Sequence, residues 1–287
     1  MKTKILRNIL LSLGVIFLLA INAHAQNLYV TTNRGVIFEY TPNGTQSTYA
    51  SGLTVPRGLA FDNIGNLFVG ENFFHDDIGV GRLLKFNVRN KVTTVGNVSH
   101  SQFAGVATDA AGNVYVMGNG DVTSTIYKFV PGVGRSVFGS VPGSGVGLAF
   151  DSAGNLYAAA AGPSSIYKFD PNGARAVFVG PSAFAEGTFP VGLAFDSGGD
   201  LFVSTNGDTG SDTILEFTPN GTGESTFATG LNNPRGLAFD ADGNLFVAER
   251  VPFPHADILE FFAAGGSTVF ASGLPSSPQF LTFGPPR

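Results

Sequence analysis

A unit of Gly-Leu-Ala-Phe-Asp, two variable residues and Gly-Asn-Leu-Phe-Val recurs from Gly58, Gly105, Gly147, Gly192 and Gly236, at intervals of 47, 42, 45 and 44 residues. Four strands per unit, repeated around a ring, predict an all-β chain folded as a six-bladed β-propeller of four-stranded antiparallel blades. The number six rests on a third apolar run, found at Ile37–Tyr40, Leu83–Phe86, Ile126–Phe129, Ile166–Phe169, Ile214–Phe217 and Ile258–Phe261. The ring follows from the chain ends. Asn27-Leu28-Tyr29-Val30 matches the second strand of a unit and Phe280-Leu281-Thr282-Phe283 matches the first.

Within a unit the first strand, such as Leu59-Ala60-Phe61, meets Asp62-Asn63-Ile64-Gly65-Asn66. There the Asp can bond its own turn and the Gly accepts a positive φ, so a tight hairpin leads into the second strand. The third strand is the Ile-x-Lys/Glu-Phe run. A Pro-Asn-Gly turn follows in several units (Pro42–Gly44, Pro171–Gly173, Pro219–Gly221), and then a short fourth strand such as Ala176-Val177-Phe178. The near-continuous apolar character of the inner strands predicts sheets buried on both faces, with the core between blades. One C-terminal strand joined to three N-terminal strands is expected to close the ring, although Phe280 stands at the Gly position and Gly284 at the Asp position.

With 43% hydrophobic and 13% charged residues the chain has the composition of a packed protein despite its 39 glycines. The absence of Cys excludes disulfides, Cys-based zinc sites and a cysteine nucleophile. A balance of 16 basic to 21 acidic residues gives no electrostatic footprint for nucleic acid. Lys2, Lys4 and Arg7 precede an uncharged run from Ile9 to Ile21, and Ala23-His24-Ala25 follows. That pattern reads as a secretory signal peptide over residues 1–25, cleaved after Ala25. The propeller then occupies residues 26–287, secreted or periplasmic, with no membrane span in the mature chain. It carries 13 basic and 21 acidic residues, a formal charge of −8.

The unit, with its Ile-x-Lys/Glu-Phe run and Pro-Asn-Gly turn, resembles the NHL repeat over nearly all of residues 26–287. That resemblance implies a six-bladed propeller in a superfamily shared with SMP-30/gluconolactonase-like and streptogramin-lyase-like proteins. The lack of Trp argues against WD40 repeats.

Second-to-third-strand connections and blade-to-blade links emerge at one end of such a ring, so a site is expected there. The unit from Gly58 reads as having the longest such loop, Glu71-Asn72-Phe73-Phe74-His75-Asp76-Asp77, and the unit from Gly236 answers with Glu249 to Asp257. Each also has an Arg 14 residues before its Glu, Arg57 and Arg235. Two readings stand: Arg57, Glu71, His75, Arg235, Glu249 and His255 line a ligand pocket, or Arg and Glu form a structural ion pair within each blade. Asn72, Asn119 and Asn206 occupy one repeat position with Asn33, as a polar ring at the channel mouth or as turn residues. His75 and His255 read as metal ligands, general bases or solvated loop residues.

Two functions follow. In the first, the loop-bearing face binds a protein, peptide or glycan, with Phe73, Phe74 and Phe253 as apolar anchors and Arg250 as a polar one. In the second, a divalent ion (Ca²⁺, Zn²⁺ or Mn²⁺) held by Glu71, Glu249, Asn72 and Asn206 polarises a lactone or ester for hydrolysis or for lyase-type elimination, while His75 or His255 moves the proton. The resemblance implies an acidic first-strand ligand for the gluconolactonase-like chemistry, and here Ala60, Ala149, Ala194 and Ala238 stand on the inner strands.

Overall fold

The computed structural model describes residues 26–120, 122–207, 212–250 and 256–285. The segment read as an export signal, together with Phe253 and His255, lies outside the described residues.

Each hairpin forms as its turn residues dictate. Asp62 Oδ1 accepts the backbone N–H groups of Ile64 (3.2 Å) and Asn66 (2.8 Å), and its Oδ2 accepts the Asn66 side-chain amide at 2.6 Å. Gly65 takes the positive φ of 85° that closes the turn. The same bonds recur at Asp109–Asn113, Asp151–Asn155 and Asp240–Asn244.

Among the described residues there are twenty-four strands, in six four-stranded antiparallel sheets, and the only helix is a single 3-10 turn, Pro181–Ala183. The N-terminal strands β1 (Leu28–Thr32), β2 (Ile37–Tyr40) and β3 (Gln46–Ala50) await a partner from the other end of the chain. The first blade is β4 (Pro56–Phe61), β5 (Leu67–His75), β6 (Ile78–Phe86) and β7 (Val92–Ser99). The second is β8 (Gln102–Thr108), β9 (Val114–Asn119), β10 (Thr123–Val130) and β11 (Gly134–Pro142), and the third β12 (Gly145–Phe150), β13 (Leu156–Ala160), β14 (Ser165–Phe169) and β15 (Arg175–Val179). The fourth is β16 (Thr188–Phe195), β17 (Leu201–Gly207), β18 (Thr213–Phe217) and β19 (Glu224–Ala228), and the fifth β20 (Pro234–Phe239), β21 (Leu245–Glu249), β22 (Ala256–Phe261) and β23 (Ser267–Leu274). The last strand, β24 (Pro278–Phe283), pairs with β1 through Leu28↔Phe283, Tyr29↔Thr282 and Val30↔Leu281. That pairing completes the sixth blade and closes the ring, as the register of the chain ends predicts.

The innermost strands β4, β8, β12, β16, β20 and β24 neighbour one another around a central channel. Five carry the repeated glycine, and in each case a Cβ would collide with backbone of the next inner strand: Gly58 with Ala104–Val106, Gly105 with Val146–Leu148, Gly147 with Val191, Gly192 with Arg235 and Gly236 with Phe280. At the sixth joint Phe280 replaces the glycine and the Thr31 hydroxyl bridges, accepting from Phe280 N (3.2 Å) and donating to the Arg57 carbonyl (2.6 Å).

Outside this ring the buried residues fall into six clusters, each shared by two neighbouring blades. In five of them the keystone is an aromatic ring on the second strand. Tyr29, Tyr115, Tyr157, Phe202 and Phe246 each meet edge-on the fourth-strand ring of their own blade (Tyr49, Phe138, Phe178, Phe227, Phe270) and the first-strand Phe of the next (Phe61, Phe150, Phe195, Phe239, Phe283), with centroids 4.8–5.0 Å apart. Each such pair contributes about 0.5–1.5 kcal/mol beyond the area it buries.

Replacing Gly192 by Ala is expected to cost at least about 2 kcal/mol, because the new methyl overlaps the Arg235 carbonyl and backbone cannot yield as a side-chain end can. Gly180→Ala, where nothing lies within 4 Å of the added carbon, should change stability by less than about 0.5 kcal/mol. Urea denaturation of both variants checks the pair.

Candidate functional site

Every first strand carries a β-bulge at one place, where two residues face a single partner on the second strand. The register shifts lie between Pro56 and Leu59, Phe103 and Val106, Gly145 and Leu148, Pro190 and Leu193, and Pro234 and Leu237, and opposite Gln279 and Phe280 in the sixth blade. The residue before the repeated glycine is one of the two, and a bulge re-aims its side chain. Around the ring these positions read Arg57, Ala104, Val146, Val191, Arg235 and Gln279.

Together with the ends of the second strands the first five of these wall a cavity of about 320 Å³ at the mouth of the channel, while Gln279 lies buried beside it, bonded to Arg57. Five of the residues singled out from sequence line it: Arg57, Asn72, Asn119, Asn206 and Arg235. Arg250, exposed, stands at the position that Asn72, Asn119 and Asn206 hold in their own blades. Further along the channel Leu59, Val106, Leu148, Leu193, Leu237 and Leu281 line a second, apolar stretch.

The asparagines are tied into the scaffold. Asn72 Nδ2 donates to the Phe103 carbonyl at 2.8 Å and its Oδ1 accepts Phe103 N–H at 2.5 Å. Asn119 Oδ1 accepts the Ser124 hydroxyl (2.8 Å) and Gly145 N–H (3.1 Å). The Asn206 amide, in the orientation that satisfies both of its ends, donates to the Pro234 carbonyl at 2.7 Å. Each thus binds its blade to the first strand of the next, a role that neither the ring nor the turn reading anticipates.

The glutamates depart further from the sequence reading. Glu71 does not pair with Arg57: it is fully buried, ion-paired with Arg82 directly opposite on β6, and accepts Thr54 N–H at 3.1 Å. Glu249 likewise accepts Asn232 N–H at 2.8 Å, but its cross-strand neighbour is Asp257. Burial first, and then the charges of Asp257 and Asp212, raise the Glu249 carboxyl above the ordinary range against the lowering effect of the Asn232 bond. The Arg–Glu pair fails because Glu71 faces Pro56 and Glu249 faces Pro234 in register, while the bulge turns the following arginine into the channel.

The long loop of the first blade is a hairpin. Strand β5 runs to His75, and Asp76 and Asp77, with φ of 49° and 62°, make a two-residue turn that twists with the strands. His75 is exposed at that tip, 3.6 Å from Asp76, and three extended residues, about 10 Å, beyond Asn72. Phe73 lies half-buried under the Arg82 guanidinium and Phe74 is exposed.

What converges at the mouth is positive charge. Arg235 is pushed down to about 10 by burial and by the charges of Arg250 and Arg57, and Arg57 is lowered by burial and by Arg250. Arg235 Nε is buried with no partner, and Arg57 donates to Gln279 Oε1 at 2.7 Å, a neutral acceptor. No ion pair to either arginine exists among the described residues. Nor does any group of three or more His, Asp or Glu there have the arrangement to hold a metal ion. With Glu71 engaged by Arg82 and three guanidiniums at the opening, these residues do not fit a divalent cation at the mouth.

No family model and no curated protein sequence matches the chain. Solved structures do. A periplasmic gluconolactonase of Pseudomonas aeruginosa is similar at 15% identity and a TM-score of 0.62, over 91% of this chain and 99% of that one. Virginiamycin B lyase of Staphylococcus aureus gives 15% and 0.59 over 78% and 73%, and TolB of Acinetobacter baumannii 11% and 0.71 over 91% and 67%. They share its fold. At such identities the likeness shows a six-bladed propeller and carries no residue roles. Among the described residues no helix is long and apolar enough to cross a membrane.

The sister glutamates should respond oppositely to neutralisation. Glu71→Gln strands Arg82 and is expected to cost about 1–3 kcal/mol. Glu249→Gln removes a carboxylate whose ionised form the fold disfavours. Because its folded-state pKa is raised, stability is lost as pH rises through that value, so Glu249→Gln should raise Tm at pH 8 and converge with the parent near pH 4. Thermal melts across that range check both.

Proposed function

We propose that the protein is an exported, NHL-like propeller acting as a binding module, which holds an anionic group of a protein, peptide or glycan ligand in the channel mouth. The observation that carries this is the convergence of Arg57, Arg235 and Arg250 with no carboxylate paired to them among the described residues. Guanidiniums without counter-charge, partly shielded from water, attract an anion more strongly than exposed ones do. Their mutual repulsion marks a place where stability has been given up for a site. The charge patterning of residues 1–25 supports a location outside the cytoplasm, and the periplasm is compatible with it.

A second reading, cleavage of a lactone or ester, is favoured by the activities named for the gluconolactonase and lyase structures. The described carboxylates and His75 do not assemble a metal-holding acid–base set, and no chemical step is assigned to them. Glucono-1,5-lactone turnover by the purified protein separates the two readings.

Binding to the folded state alone must raise the melting temperature with ligand concentration. Acetate, phosphate and sulfate at low ionic strength are expected to do so, and the effect should vanish in a variant carrying both Arg57→Gln and Arg235→Met. Arg235→Met alone should bind anions less well yet melt higher at pH 7. The gain is about 1–2 kcal/mol once solvent screening is allowed for, because the folded state no longer holds a charge that burial and Arg250 disfavour.

A further inference from the structure

The six bulge residues are not mixed around the ring. Taken in blade order from the fifth, Arg235, Gln279 and Arg57 form one continuous arc, and Ala104, Val146 and Val191 form the other. In a closed ring of six, Arg235 stands across from Ala104, Gln279 from Val146, and Arg57 from Val191. Phe189 extends the apolar arc within the same cavity.

We infer that the ligand group seated in this mouth is a carboxylate attached to a compact apolar body, with the carboxylate against Arg57 and Arg235 and the body against the Ala104–Val146–Val191 arc. The inference rests on the anion-site reading above and adds the chemistry of the remainder of the ligand. A carboxylate presents two oxygens in the plane that suits a guanidinium fork. A doubly charged, strongly hydrated phosphate would lose its water against the alanine and valine side chains with nothing in exchange.

Two sources supply this chemistry, a free aryl- or alkyl-carboxylic acid and the C-terminus of a peptide ending in an apolar residue. Isothermal titration of the full mature protein at pH 7 and low salt distinguishes them. The probes are 3-phenylpropionate, 3-phenylpropan-1-ol, acetate, inorganic phosphate, and N-acetyl-glycyl-phenylalanine as free acid and as amide. The expected result is at least tenfold tighter binding of 3-phenylpropionate, of the free-acid peptide, or of both, than of acetate or phosphate, with the alcohol and the amide at least tenfold weaker than their acids. Val146→Asn should erase the preference over acetate. The comparison of acids with alcohol and acetate in the unaltered protein stands even if that variant does not fold. Equal binding of acetate, phosphate and phenylpropionate overturns this inference and leaves the anion site intact. If no anion binds, or if binding is indifferent to Arg57→Gln, both fall.

Discussion

The molecule depends on how closely six inner strands can approach one another around an axis. At five joints the backbone of one strand occupies the volume where the Cβ of its neighbour would lie, so only glycine fits. This close approach sets the diameter of the channel, the angle between blades and hence the depth at which second-strand rings meet the next blade. The aromatic wedges then fill what the glycines leave open. Backbone proximity inside and edge-on rings outside make most joints alike, and stability accrues between neighbours as in other repeat architectures. A chain with no Cys has no covalent alternative.

The same geometry creates the site. A strand that must hug its neighbour at a glycine and still stay paired within its own blade absorbs the conflict in a bulge, and the extra residue is turned toward the axis. Structure therefore fixes where six side chains point and leaves their identity free. In this chain the freedom has been used unevenly, with charge and amide on three successive blades and small apolar groups on the other three. The arginines are held apart from the glutamates that share their blades, so that positive charge at the opening is not cancelled from within.

Much of this was legible in the amino-acid order. The Asp–Gly–Asn hairpins, the six-fold count, the closure of β24 onto β1 and the location of the core between blades all follow from local turn chemistry and register. What escaped is what breaks period-two alternation. A bulge leaves no composition signature beyond the glycine itself, so Ala104, Val146, Val191 and Gln279 went unnoticed, although each immediately precedes the repeated Gly or its counterpart. The stretch from Phe73 to His75 looked like a loop because the turn closing it, Asp76-Asp77, lacks glycine and reaches its positive φ values with aspartates. Once that hairpin is misjudged, Arg82 cannot be placed opposite Glu71. Glu71 and Glu249, sister positions in repeated sequence, then seem equivalent when one faces a cation and the other a carboxylate.

The clasp that joins the two ends of the chain has a temporal meaning. Gln279, which steadies Arg57, and Phe280, which shares the cavity with it, belong to the final strand. Until that strand docks, the polar arc lacks its centre and Arg57 lacks its acceptor. A polypeptide whose last strand has yet to be made thus has most of its blades but no finished mouth.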